Sequence, residues 1–100
     1  MKALLRKVSR FNHERGWTTY HDPRSLVLAI CSEAGELAHL FRWRTRQLGS
    51  VRTRDCAADE LADILIFSLS LCDVLELDPQ TIISEKLRHN AKRFPPHKQP

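Results

Sequence analysis

Glycine is scarce, with three in 100 residues, which argues against a turn-rich β fold. No segment alternates apolar and polar residues for long enough to make a strand, so the fold class is all-α. Cysteine is scarce too. Cys31, Cys56 and Cys72 show neither a CxxC nor a Cys/His metal spacing, and three scattered cysteines in a small chain point to reduced, mostly packed thiols in a cytosolic setting. Long apolar runs are missing: the most hydrophobic stretch, residues 61–77, is interrupted by Asp63, Asp73 and Glu76 and is too short and too charged to span a bilayer. The opening MKALLRKVSRFNHERGW carries charge throughout and lacks the apolar core of an export signal. A soluble, cytoplasmic, helical protein with no membrane partner is the expectation.

The excess of charge is small, sixteen Lys plus Arg against twelve Asp plus Glu. A net +4 fits an anionic partner without requiring one. A chain of this length makes one domain, taken here as residues 1–95 with a frayed tail at 96–100, and buries only a modest fraction of its surface by itself. A partner subunit follows naturally.

Four helices can be placed by periodicity and punctuation. Leu4, Leu5, Val8, Phe11 and Asn12 recur at helical spacing and define a first helix over residues 2–15, ended by Gly16. WTTYHDP reads as a loop. Asp22-Pro23 combines an N-cap with a first-turn proline and opens a second helix over 23–43. RTRQLGSVRTR reads as a connection, and a third helix covers 55–77. Asp78-Pro79 repeats the start signal and opens a fourth helix, which Pro95-Pro96 stops. Short connections between four helices predict a bundle.

Two of the helices carry acids where apolar residues belong. The seam of the second runs Leu26, Ile30, Glu33, Leu37, Leu40; that of the third runs Glu60, Ile64, Phe67, Leu71, Val74. Each seam glutamate has a second acid three residues on, Glu36 and Asp63, about 60° away on the same face. In an antiparallel pair with these bounds, the loop must supply about one turn of offset for the two acid pairs to meet. Four unneutralised carboxylates in one pocket repel and lose hydration. A hard divalent ion resolves this, and oxygen-only ligation selects Mg²⁺ or Mn²⁺. The competing explanation is four acids at the stripe edges, paired with arginines of neighbouring helices.

EAGELAHLFRW followed by DELADILIFSLSL resembles the all-α nucleoside triphosphate pyrophosphohydrolases of the MazG-like superfamily, whose signature is ExxE, a spacer of variable length, then ExxD. RGWTTYHDPRSLVLAICSEAGELAHLFRWR and KLRHNAKRFP extend the resemblance to the dCTP pyrophosphatase branch, over residues 4–95. The resemblance implies a four-helix, bundle-like fold assembled as a homodimer or homotetramer. It also implies Mg²⁺ on Glu33, Glu36, Glu60 and Asp63, and water attack at the α-phosphorus of a nucleoside triphosphate. Glu33 and Glu36 are the candidate catalytic acids, with Glu36 as the base. Lys86 and Asn90 would contact phosphate or sugar, with Arg93 on the same helix face; a solvated face is the alternative. His21, Trp17 and Trp43 would form the base pocket, unless the tryptophans are core anchors and the histidine a turn residue. Phe67 stands where relatives often have tyrosine, which removes a hydroxyl near the substrate.

Other functions make different demands. Glu36-x-x-His39 matches half of a helical di-metal motif, but no second copy follows in the third or fourth helix. The arginines at 42, 44, 46, 52 and 54 could hold RNA or gather anionic nucleotides, with a solvated loop as the alternative and no groove-reading motif beside them. A non-enzymatic helical adaptor or nucleic-acid-binding dimer would need neither Mg²⁺ nor Glu33, Glu36, Glu60 and Asp63. Leu61, Leu65, Leu69 and Cys72 make the third helix apolar on a second side, which calls for a homo-oligomeric interface.

Overall fold

The computed structural model describes residues 1–42 and 51–97. They form four α-helices, α1 (Lys2–Glu14), α2 (Pro23–Leu40), α3 (Val51–Val74) and α4 (Pro79–Arg93), with a 3₁₀ turn (Trp17–Thr19) after α1 and no strand among the described residues. The segment read as a loop thus contains one tight turn, entered through Gly16 in the left-handed region at φ 67°, a conformation glycine adopts without steric cost.

Both Asp-Pro signals act as the residue chemistry dictates. The Asp22 carboxylate accepts from the Ser25 amide at 2.7 Å, and Asp78 accepts from the Thr81 amide at 3.1 Å and its hydroxyl at 2.6 Å. These bonds satisfy first-turn donors that a helix leaves open, and they hold both aspartates below the usual carboxylate range. At the other end of α3, Glu76 adopts φ 56°, while the amides of Leu77 and Glu76 donate to Cys72 and Asp73 carbonyls at 2.8 and 3.2 Å. This is a Schellman cap with a glutamate in the position that favours glycine. It ends α3 at Val74, three residues before the expected end at Leu77.

The other helix limits also differ from expectation. α2 ends at Leu40 and α3 begins at Val51, four residues earlier than expected. Glu33 therefore stands about two turns from the end of α2 and Glu60 about two and a half turns into α3. The two acid pairs therefore stand at similar heights, with little offset to be made up.

α2 and α3 form the principal antiparallel pair: Phe41 lies near Thr53 at one end, and Glu33 meets Glu60 farther along. α1 crosses α3, pinned by Ser9 Oγ donating to Asp73 at 3.1 Å and Asn12 Nδ2 donating to Ser70 Oγ at 2.9 Å. The core is small, centred on Leu26 with Val8 and Leu69. α4 stands apart from this layer, its Ile83 and Leu87 about half or more exposed. The accessible surface is 8524 Å², against about 5,800 Å² expected for a compact monomer of this mass, and the radius of gyration is 16.7 Å, against about 13 Å. Cys31 and Cys56 are exposed rather than packed as expected; only Cys72 is half-buried, and burial, then Asp78, raises its thiol pKa. No described helix is long and apolar enough to cross a membrane.

Candidate functional site

Helical spacing carries Glu33 and Glu36 on one face of α2 toward Glu60 on α3. One carboxylate oxygen from each lies within 4.8 Å of the other two. Glu33 and Glu60 are half-buried and Glu36 is exposed, so the cluster opens to solvent on the Glu36 side. Glu60 Oε2 is buried and accepts no hydrogen bond, which is costly for a carboxylate oxygen. Its pKa is pushed up to about 7, first by a hydrogen bond shared with Glu33, then by burial, then by Glu36. These features describe a group built to meet a proton or a cation. The donor set is oxygen alone, which fits a hard divalent ion. Like charge from Glu36 and Glu33 adds to the rise at Glu60, as it does where carboxylates share a site with no cation between them.

Asp63, one turn beyond Glu60, is not among the three. It lines, with Glu33, a cavity of about 310 Å³ beside the cluster, whose walls are Phe11, Trp17, His21, Ile66 and Phe67 and whose polar contribution includes Asn12 and Ser70. Phe11 and Trp17 meet edge to face with ring centres 5.5 Å apart, and Trp17 and His21 are 6.2 Å apart. The Arg15 guanidinium lies 3.6 Å above the Phe11 ring, a cation–π contact that anchors this wall. Trp17 is 45% exposed, so part of its indole stays open to a second planar group. The cavity thus joins carboxylates at one margin to an aromatic wall, whose faces offer stacking surface for a flat heterocycle.

The chain brings Glu33, Glu36, Glu60, Asp63, Trp17, His21 and Phe67 to one region. Lys86, Asn90 and Arg93 are elsewhere: α4 carries Lys86 and Arg93 exposed and Asn90 half-buried, and none of the three lines the cavity. Trp43 lies outside the described residues, as do Arg44 and Arg46. His39 does not join the acid cluster. Sequence reasoning missed Phe11, Asn12, Ile66 and Ser70 as cavity residues. A signal existed for Asn12, a polar residue on the apolar stripe of α1, whereas nothing marks Ser70 except its place one turn after Phe67 and beneath α1.

No protein-family model matches the chain. Similar proteins include dCTP pyrophosphatase 1 of Homo sapiens, 35% identical over 97% of this chain, and that of Bos taurus, 37% identical over 97%. The chain spans about 60% of the length of these curated relatives. The crystal structure of a pyrophosphatase from Archaeoglobus fulgidus superposes with a TM-score of 0.82 at 32% identity, covering 96% of this chain and 93% of that one. Identity of this level along nearly the whole of both chains, on the same helical frame, establishes that the chain belongs to the MazG-like all-α pyrophosphatase family.

Proposed function

We propose that the chain is a Mg²⁺-dependent pyrophosphohydrolase that converts a deoxynucleoside triphosphate to its monophosphate and pyrophosphate, with dCTP or a modified pyrimidine deoxynucleotide as substrate and nucleotide-pool cleaning as its role. The observation that carries this reading is the partnerless buried oxygen of Glu60 between Glu33 and Glu36, beside a cavity of base-accommodating size. The relatives named dCTP pyrophosphatase 1 support the substrate.

Glu33, Glu36 and Glu60, with Asp63 one turn on, would hold Mg²⁺ or Mn²⁺, which supplies neutralisation of phosphate charge and a more acidic water. The rest falls to the chain's own groups. Trp17, His21 and Phe67, with Trp43, hold the base, and the aromatic wall excludes water from its faces. Phe67 lacks a hydroxyl, so it contributes packing alone. Glu36, the most open of the three acids, accepts the proton of the attacking water. The water oxygen bonds to the α-phosphorus, the bridge to the β-phosphorus breaks, and pyrophosphate leaves with the electron pair. Glu33, adjoining both cluster and cavity, orients that water.

The chain works as a homo-oligomer, dimer or tetramer. Leu61, Leu65, Ile83 and Leu87 are 47%, 55%, 49% and 64% exposed, apolar surface that a second copy would cover. Lys86, Asn90 and Arg93 reach triphosphate only if assembly carries α4 to an acid cluster, so their phosphate role rests on the oligomer. Light scattering that gives the monomer mass at micromolar concentration would remove both claims.

The test is a panel of deoxynucleoside triphosphates with Mg²⁺ in ¹⁸O-labelled water. Label in the monophosphate and release of pyrophosphate are expected. Orthophosphate as first product rejects attack at the α-phosphorus, and a silent panel, indifferent to Glu33→Gln, favours the helical adaptor.

A further inference from the structure

Asn12 and Ser70 are the buried polar residues of the cavity, 5% and 2% exposed. They sit on different helices and bond directly, Asn12 Nδ2 donating to Ser70 Oγ at 2.9 Å. The Ser70 hydroxyl sets the direction of that bond. A serine hydroxyl has one proton, and Ser70 spends it on the Ile66 carbonyl at 2.9 Å. Its oxygen is left only to accept, so the Asn12 amide must turn its nitrogen toward Ser70 and its oxygen away. Nothing among the described residues donates to that oxygen, and it is not sealed off by surrounding atoms, although Asn12 as a whole is buried against the cavity. A buried amide with one edge spent and the other open is a built acceptor, and it lies on the same cavity as the aromatic wall.

Building on the hydrolase reading, we propose that Asn12, oriented by Ser70, selects the base: its Oδ1 accepts from an exocyclic amino group, so the cavity takes a 4-aminopyrimidine over its 4-oxo counterpart. A 4-oxo group would set two acceptors face to face. Ser70 acts as a positioning residue, because without it the amide is free to turn and present its nitrogen instead. A site organised around one such bond discriminates by about ten- to hundredfold.

The experiment measures binding of dCMP and dUMP by tryptophan fluorescence, and hydrolysis of dCTP and dUTP, for the wild type, Asn12→Ala and Ser70→Ala. The wild type should favour the cytosine member of each pair by about ten- to hundredfold. Both variants should lose most of that ratio, while Mn²⁺ affinity at the acid cluster stays at the wild-type level. A wild-type ratio within twofold of one overturns the proposal, and so does a wild-type ratio retained in both variants, or a uniform loss of both ligands. Circular dichroism melts establish that each variant is folded, and the wild-type ratio decides alone if one is not. Selective dCMP binding without hydrolysis refutes the hydrolase and leaves the base selection standing. Equal hydrolysis of dCTP and dUTP does the reverse.

Discussion

Protons and a divalent cation should compete for Glu60, and the competition can be sized. With its pKa near 7, Glu60 is about nine-tenths protonated at pH 6 and about one-tenth at pH 8. A cation must displace that proton, so its apparent affinity should weaken about tenfold between pH 8 and pH 6 and about thirtyfold by pH 5.5. A carboxylate with the ordinary value of 4.5 would leave affinity nearly flat over pH 6–8. Calorimetric titration with Mn²⁺ in buffers of different ionisation enthalpy reads both quantities, and about 0.9 proton should be released per ion at pH 6 against about 0.1 at pH 8. Glu60→Gln should weaken binding and flatten its pH dependence. The same shift governs the metal-free fold. Because the folded-state pKa is raised, the stabilising contribution is full below pH 4.5 and is lost as pH rises through about 7. The metal-free melting temperature should therefore fall between pH 6 and pH 8, and Glu60→Gln should suppress that fall. Equal Mn²⁺ affinities at pH 6 and pH 8, with no proton release, would refute the reasoning.

Three further outcomes concern the frame that holds the site. Leu26→Ala, at a side chain 1% exposed, should cost about 3–5 kcal/mol and lower the melting temperature by well over 10 °C; a loss of only a few degrees would mean that the small core is not centred there. Glu76→Gly relieves a left-handed glutamate at φ 56° and should stabilise by about 0.5–1 kcal/mol, raising the melting temperature by about 3–6 °C, whereas a decrease would show that the unfolded-state entropy of glycine outweighs the relief. Asp22→Ala removes the cap on Ser25 and should lower the melting temperature by about 5 °C in denaturation followed by circular dichroism, with Asp22→Asn recovering most of it.

How much of this was legible beforehand depends on whether the cause was local. The acid pairs were legible because three-residue spacing on an apolar seam is a property of one helix at a time, and Asp22-Pro23 and Asp78-Pro79 because an N-cap acts over three residues. The start of α3 was not: Val51 and Thr53 are β-branched and follow Gly49 and Ser50, so local propensity favours a connection, yet Thr53 is buried beside α2. Packing outweighs propensity there, and the same shift brings the acids level. The division of the four acids was equally hidden. Sequence spacing places Asp63 beside Glu60, but the structure draws Glu60 toward the two glutamates of α2 and leaves Asp63 facing the cavity with Glu33.

Asn12 shows where such reading stops and why. On α1 it continues the stripe of Leu4, Leu5, Val8 and Phe11, and a polar residue at the end of a stripe ordinarily marks the edge of the buried face. Its partner Ser70 is 58 residues away and lies on a helix with serine also at position 68. The Ser68 hydroxyl donates back to its own helix, to Ile64 at 2.7 Å, as Ser70 donates to Ile66. Both habits are local and both are common in helices. Only the crossing of α1 over α3 turns one of the two hydroxyls into an acceptor for a buried amide and commits the nitrogen edge of that amide to Ser70. The acid cluster could be inferred from a repeat along single helices; the oriented amide could not, because its chemistry exists only in the contact between two of them.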